Sequence, residues 1–160
     1  MKKKDNLSLQ LSVEKTNKLE YSCFIHNRLK EKAEFYIDDR FRLETRDSSG
    51  KIINPTRTLA RKVPYGTKIK TFFKMTLNGN EKREIKKVSF ERSKKEYVLY
   101  WKRGLYSYWF ENIKSGTYKI KLSSQYIDAK SITLGAGDEI EYPKEAINPI
   151  ETKEIQIELK

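Results

Sequence analysis

The sequence predicts an all-β chain folded as an antiparallel sandwich. Three observations carry this. Apolar residues recur at every second position, turn residues separate those runs at short intervals, and no long stretch shows the 3.6-residue period of an amphipathic helix. At 160 residues the chain suits a single domain, 1–160, large enough to bury a core without metal or disulfide staples. Its 37% apolar and 35% charged residues imply a heavily charged surface, while nineteen aromatic residues argue against disorder.

Taken in order, Leu7, Leu9, Leu11 and Val13 share one face against Ser8, Gln10 and Ser12. Leu19, Tyr21, Cys23 and Ile25 repeat the pattern, and Asn27 ends that strand. After a charged connection, residues 35–37 form a short strand, and Phe41, Leu43 and Thr45 alternate with Arg42, Glu44 and Arg46. Residues 47–51 read as a tight turn, because Asp47 can bond its own backbone and Gly50 accepts positive φ. Ile52 and Ile53 begin the return, which Pro55 ends. Beyond a turn at Pro64-Tyr65-Gly66, Ile69, Thr71, Phe73, Met75 and Leu77 face one way, with Lys68, Lys70, Phe72 and Lys74 opposite.

Asn78-Gly79-Asn80 has the composition of a hairpin turn. Residues 81–87 have room for one helical turn, too short and basic to bury a face. Strands are expected at 87–90, 97–101 and 106–110. Tyr118, Ile120 and Leu122 then alternate with Lys119 and Lys121, residues 132–134 precede Gly135-Ala136-Gly137, and Ile155, Ile157 and Leu159 close the chain.

The net charge of +12 is concentrated: residues 61–103 hold fourteen Lys/Arg and four Glu, a net of +10. Such a field attracts acidic proteins, polyanions or an anionic membrane surface, although lysines on exposed strands also guard sheet edges against aggregation. Within this segment Trp101 and Trp109 flank Lys102-Arg103-Gly104-Leu105, which reads as two strands and their turn. Leu99 shares a face with Trp101, Ser107 shares one with Trp109, and Tyr106, Tyr108 and Phe110 take the face opposite Trp109. Both faces are therefore aromatic, and the hairpin is either covered on both sides or presents one aromatic face to a partner. Because Trp, Tyr and Arg dominate binding hot spots, the candidate partner-binding residues are Lys86, Lys87, Arg92, Lys94, Lys95, Trp101, Lys102, Arg103 and Trp109.

The reactive residues argue against catalysis. A single cysteine, Cys23, makes no intrachain disulfide, which points to a reducing compartment and an inert buried thiol. His26, the only histidine, falls on the strand face opposite Cys23. Asp38 and Asp39 beside Arg40 read as charge-paired rather than as an acid dyad. Asp138, Glu139 and Glu141 form a weak cation-site candidate with too few oxygens for calcium. No phosphate-binding loop or nucleophile elbow occurs. The expectation is a non-enzyme with no catalytic residue, metal or cofactor. The first residues lack an apolar run, and nothing approaches the roughly 20 apolar residues of a membrane span. A cytoplasmic location is expected, with a mature secreted domain given a start Met as the alternative.

Two stretches carry a resemblance. The first is Cys23-Phe24-Ile25-His26-Asn27, followed by Phe35 and by residues 41–51 with their Asp47-Ser48-Ser49-Gly50-Lys51 turn; the second is residues 113–122, with Gly116-Thr117-Tyr118. Their order resembles the bacterial intracellular proteinase inhibitor family over residues 7–77, 110–124 and the last strand. Ser115 stands where that family often has Pro, and 78–109 is an added basic, aromatic segment. The resemblance implies an immunoglobulin-like sandwich with an inserted hairpin segment and a corner hydrogen bond from Tyr118. It also implies inhibitory activity, with no inhibitory residue carried over.

The function expected is non-enzymatic binding of another protein, acidic or a proteinase, in the specific form of an intracellular proteinase inhibitor or regulator. One alternative is binding of nucleic acid or another polyanion through the 61–103 segment. Another is a structural or assembly subunit with the aromatic hairpin at an oligomer interface. The oligomeric state stays open.

Overall fold

A computed structural model describes residues 7–17, 20–55, 57–60, 71–93, 96–102, 106–110 and 113–159; for 57–60, 88, 90–93, 96–102, 106–109 and 138 the backbone alone is described. The described residues contain no α-helix, and no helix long and apolar enough to cross a membrane. The strands are β1 (Leu9–Asn17), β2 (Glu20–Asn27), β3 (Ala33–Asp38), β4 (Arg42–Arg46), β5 (Ile52–Ile53), β6 (Arg57–Ala60), β7 (Phe72–Leu77) and β8 (Lys82–Ser93). They continue with β9 (Glu96–Lys102), β10 (Tyr106–Phe110), β11 (Gly116–Asp128), β12 (Thr133–Leu134), β13 (Ile140–Glu141), β14 (Ile147–Glu151) and β15 (Ile155–Leu159).

One sheet runs β1-β2-β8-β9-β10-β6, antiparallel throughout. The other is built on β11, the longest strand. Along one edge of β11 lie β3 and β4, a single path broken at residues 39–41; along the other lie β14 and β15, broken at 152–154. The second break is bridged by Thr152, whose N–H donates to Leu122 O at 2.8 Å while its Oγ1 accepts from Leu122 N at 3.0 Å. β7 adds to β3 and β5 to β4. A short β12–β13 ribbon stands apart.

The two sheets pack face to face as a sandwich. The alternating residues make its core: Leu11 from β1, Tyr21, Cys23 and Ile25 from β2, Phe35 and Ile37 from β3, Tyr118, Ile120 and Leu122 from β11, Ile157 and Leu159 from β15. Fully burying such a side chain is worth about 1.5–3 kcal/mol, which is why period two decides the face. On β7 the pattern weakens with position: Leu77 is buried and Met75 half-buried, but Phe73 is 47% exposed on this outer strand, and Ile69 lies outside the described residues. The 47–51 turn forms as its residues dictate. Gly50 takes φ 86, and Asp47 Oδ1 accepts from Ser49 Oγ, Ser49 N and Lys51 N, which holds the Asp47 carboxyl below the usual carboxylate range.

Two expectations are corrected. Asn78-Gly79-Asn80 does form a turn, with Glu81 N donating to Asn78 O at 3.2 Å and Asn80 at φ 58. It is not a hairpin, because β7 pairs with β3 in one sheet and β8 with β2 in the other. The turn carries the chain between sheets. It nests against the crossover at residues 28–32, closely enough that a Cβ on Gly79 would stand 1.8 Å from Lys30 O. Residues 82–87 form no helical turn either. They open the twelve-residue strand β8, because pairing with β2 satisfies their backbone.

The segment 78–109 supplies β8, β9 and most of β10, half of the strands of its sheet, and β8 lies directly against β2.

Candidate partner-binding surface

The expected hairpin exists. β9 and β10 pair with Ser107 opposite Tyr100, Tyr108 opposite Leu99, Trp109 opposite Val98 and Phe110 opposite Tyr97. Directly paired residues form rows across the sheet, and successive rows alternate between its faces. Trp101 stands in the row Lys15–Tyr21–Val88–Trp101, which includes the core residue Tyr21. Trp109 stands in the row Glu91–Val98–Trp109–Arg57, next to that of Phe110, which is buried at 4% exposure. The two tryptophans therefore belong to rows of opposite parity.

Register also divides the candidate residues between the two ends of the strands. Lys87 pairs with Lys102 and Val88 with Trp101 at one end, while Arg92 pairs with Tyr97 and Ser93 with Glu96 at the other. Six strand steps, about 20 Å, separate Lys87 from Ser93. So Lys86, Lys87, Trp101 and Lys102 come together, and Arg92 and Trp109 lie towards the opposite end. Lys94, Lys95 and Arg103 lie outside the described residues.

Local electrostatics change the picture drawn from contiguous charge. Between Cys23↔Lys86 and Phe24↔Glu84 the strand β8 has one extra residue, Ile85, a bulge in the ladder. Lys86 consequently shares the inward face with Cys23. Its side chain is 10% exposed, and its ammonium pairs with Asp39 at the β3–β4 break, above the ring of Phe41 at 6.0 Å. This removes Lys86 from any outward patch. Lys87 stands 3.7 Å from Glu20 and 3.8 Å from Glu84. Lys82 pairs with Glu14 and lies 4.7 Å from the centroid of Phe24. Arg83 binds Glu81 at 2.6 Å, and Glu81 is held below the usual carboxylate range first by the Asn78 N–H and then by Arg83. Each described cation of residues 82–87 thus faces a carboxylate, several of them from β1, β2 or the β3–β4 break. Such exposed pairs stabilise by only about 0–1 kcal/mol, but they cancel the local field.

Reading the sequence did not find the Asp39–Lys86 pair. A signal existed: extending the Val88, Phe90 alternation back by one step places Lys86 on the apolar face.

The reactive groups sit as their sequence context suggested. Cys23 is fully buried, and burial pushes its thiol up to about 12 against the opposing pull of Lys86. His26 lies in the row Gln10–His26–Lys82, of the other parity. Asp38 receives Arg40 Nε at 3.1 Å and Nη2 at 3.0 Å, so the two adjacent aspartates are claimed by different cations. Among the described residues no three His, Cys, Asp or Glu groups converge as metal ligands. At the β3–β4 break, Arg40, Arg42, Ser123, Gln125 and Glu151 rim a cleft of about 480 Å³ floored by Phe41 and Ile150. There Arg40 is bound to Asp38, and the Glu151 carboxylate lies 3.5 Å from Lys121.

No family model matches the chain, and neither does any curated protein.

Proposed function

We propose that the chain is a non-enzymatic protein-binding module on an immunoglobulin-like sandwich, acting on an intracellular proteinase as inhibitor or regulator. The observation that carries the binding half is the alternation at Trp109–Phe110. Phe110 belongs to the core, and by backbone register Glu91, Val98, Trp109 and Arg57 hold the alternate position at that end of the sheet. Trp109 and Arg57, paired across β10 and β6, are of the residue types that dominate binding hot spots. The fold half is supported by Tyr118, whose hydroxyl donates to Lys114 O at 2.7 Å just before β11, the corner bond typical of immunoglobulin-type sandwiches. The pairing of Lys82, Arg83, Lys86 and Lys87 with carboxylates favours a protein partner over a polyanion, which needs unmatched cations along its track.

The test titrates the chain against a panel of serine proteinases. Dose-dependent loss of activity with the chain left uncut supports inhibition; rapid cleavage without inhibition rejects it. Binding itself is read by cross-linking in nuclease-treated lysate. A protein adduct that persists there and disappears with Trp109→Ser supports the module, and an association that nuclease abolishes overturns it in favour of a polyanion.

A further inference from the structure

The second sheet carries a cleft that the hairpin does not share. Strands β3 and β7 and the segment 129–134 enclose about 600 Å³ around Tyr36, Lys74, Asp128, Lys130, Ile132 and Leu134. Its floor follows from register, because Ile147, Ile127, Tyr36 and Lys74 form one row across β14, β11, β3 and β7, with Ile127 fully buried. Its wall is held by hydrogen bonds. Asp128 Oδ1 accepts from Lys130 N at 2.9 Å, and Ile132 N donates to Ala129 O at 3.2 Å. Pairing of Leu134 with Ile140 in the short ribbon then keeps Leu134 outward at 63% exposure, an apolar lip beside the cleft.

The charges here are not cancelled as they are on β8. Lys32 is matched to Glu34 at 3.2 Å, but the exposed ammonium groups of Lys74 and Lys130 have no carboxylate partner among the described residues. The Tyr36 hydroxyl has no hydrogen-bond partner there either. Lys74 and Lys130 against the single carboxylate of Asp128 leave a net positive charge, which with a phenol beside Ile132 and Leu134 suits a ligand that sets a carboxylate next to an apolar side chain. We propose that this cleft docks an acidic peptide segment of a partner protein, its carboxylate received by Lys74 and Lys130 and its apolar residue by Ile132 and Leu134. A continuous phosphate chain suits it less, since Glu34 and Asp128 border the cleft and Tyr36 is its one aromatic residue.

The proposal does not rest on the hairpin, so Trp109→Ser is expected to leave it intact. The probe is a labelled, end-blocked peptide of alternating glutamate and leucine, followed by fluorescence anisotropy at about 50 mM salt, where screening is weak. Saturable binding is expected, weakened about tenfold by Lys74→Glu combined with Lys130→Glu and several-fold by Leu134→Ser. Lys144→Glu, an exposed charge outside the cleft, should leave it unchanged, and a lysine–leucine peptide should not bind. Unfolding midpoints check that each variant is folded. Three results overturn the proposal: no saturable binding, an equal loss with Lys144→Glu, or an oligonucleotide that binds the same lysines without regard to Leu134.

Discussion

Asn27 and Asn78 stand 51 positions apart and are joined by a 3.0 Å hydrogen bond from the buried Nδ2 of the first to the backbone carbonyl of the second. The same Nδ2 donates to Glu31 O at 2.7 Å, Asn27 Oδ1 accepts from Leu29 N, and Asn27 N donates to Glu81 O. One side chain therefore ties together two of the crossovers between the sheets, 28–32 and 78–81.

Asn27→Ala should lower the unfolding free energy by about 2–3 kcal/mol, because it strands buried carbonyls and an N–H rather than merely deleting bonds. Gly79→Ala should cost at least as much, since its Cβ would overlap Lys30 O. Urea titration checks both. A midpoint unchanged in either variant would remove the crossover pair as a stability determinant.

At the inter-sheet ion pair the two partners should behave differently. Asp39→Ala leaves the Lys86 ammonium nearly buried and unmatched, and is expected to cost about 3 kcal/mol. Lys86→Met removes the charge and keeps the packing, and should cost less than about 1 kcal/mol. Thermal melts of the two variants decide it, and equal losses would contradict the burial of Lys86.

Cys23 is expected to resist a thiol reagent at about pH 8 in the native state and to react fully once unfolded. Burial lifts its thiol from 9.0 to about 12, so the folded state keeps a proton that the unfolded state gives up. Its contribution is therefore intact below 9.0 and is lost as pH rises from 9.0 towards about 12. Equilibrium unfolding across that alkaline range should show the decline, reduced in Cys23→Ala.

The two tryptophans should separate by stability. Trp101 shares its row with the core residue Tyr21, and its replacement by alanine should cost about 3 kcal/mol or more. Trp109, in the alternate row, should cost less than about 1 kcal/mol. Comparison of urea midpoints tests the register, and the reverse order would refute it.

Much of this molecule is legible in its one-dimensional pattern. Strand identity and facing follow from period two, as in Leu9–Val13, Tyr21–Ile25 and Tyr118–Leu122, because a strand must turn its apolar set to one side. The 47–51 turn is equally local, since Asp47 and Gly50 satisfy it alone. What no local rule contains is which strand lies beside which. Asn78-Gly79-Asn80 bends the chain whether β8 returns beside β7 or crosses to β2; the choice is made by Asn27 and by burial of both sheets' apolar faces. The bulge at Ile85 turns Lys86 inward to Asp39. Glu14 and Glu20 approach Lys82 and Lys87 only after β1 and β2 have joined β8. Charge summed along the chain is fixed by composition, but the field it makes depends on distances through space, and those belong to the tertiary structure.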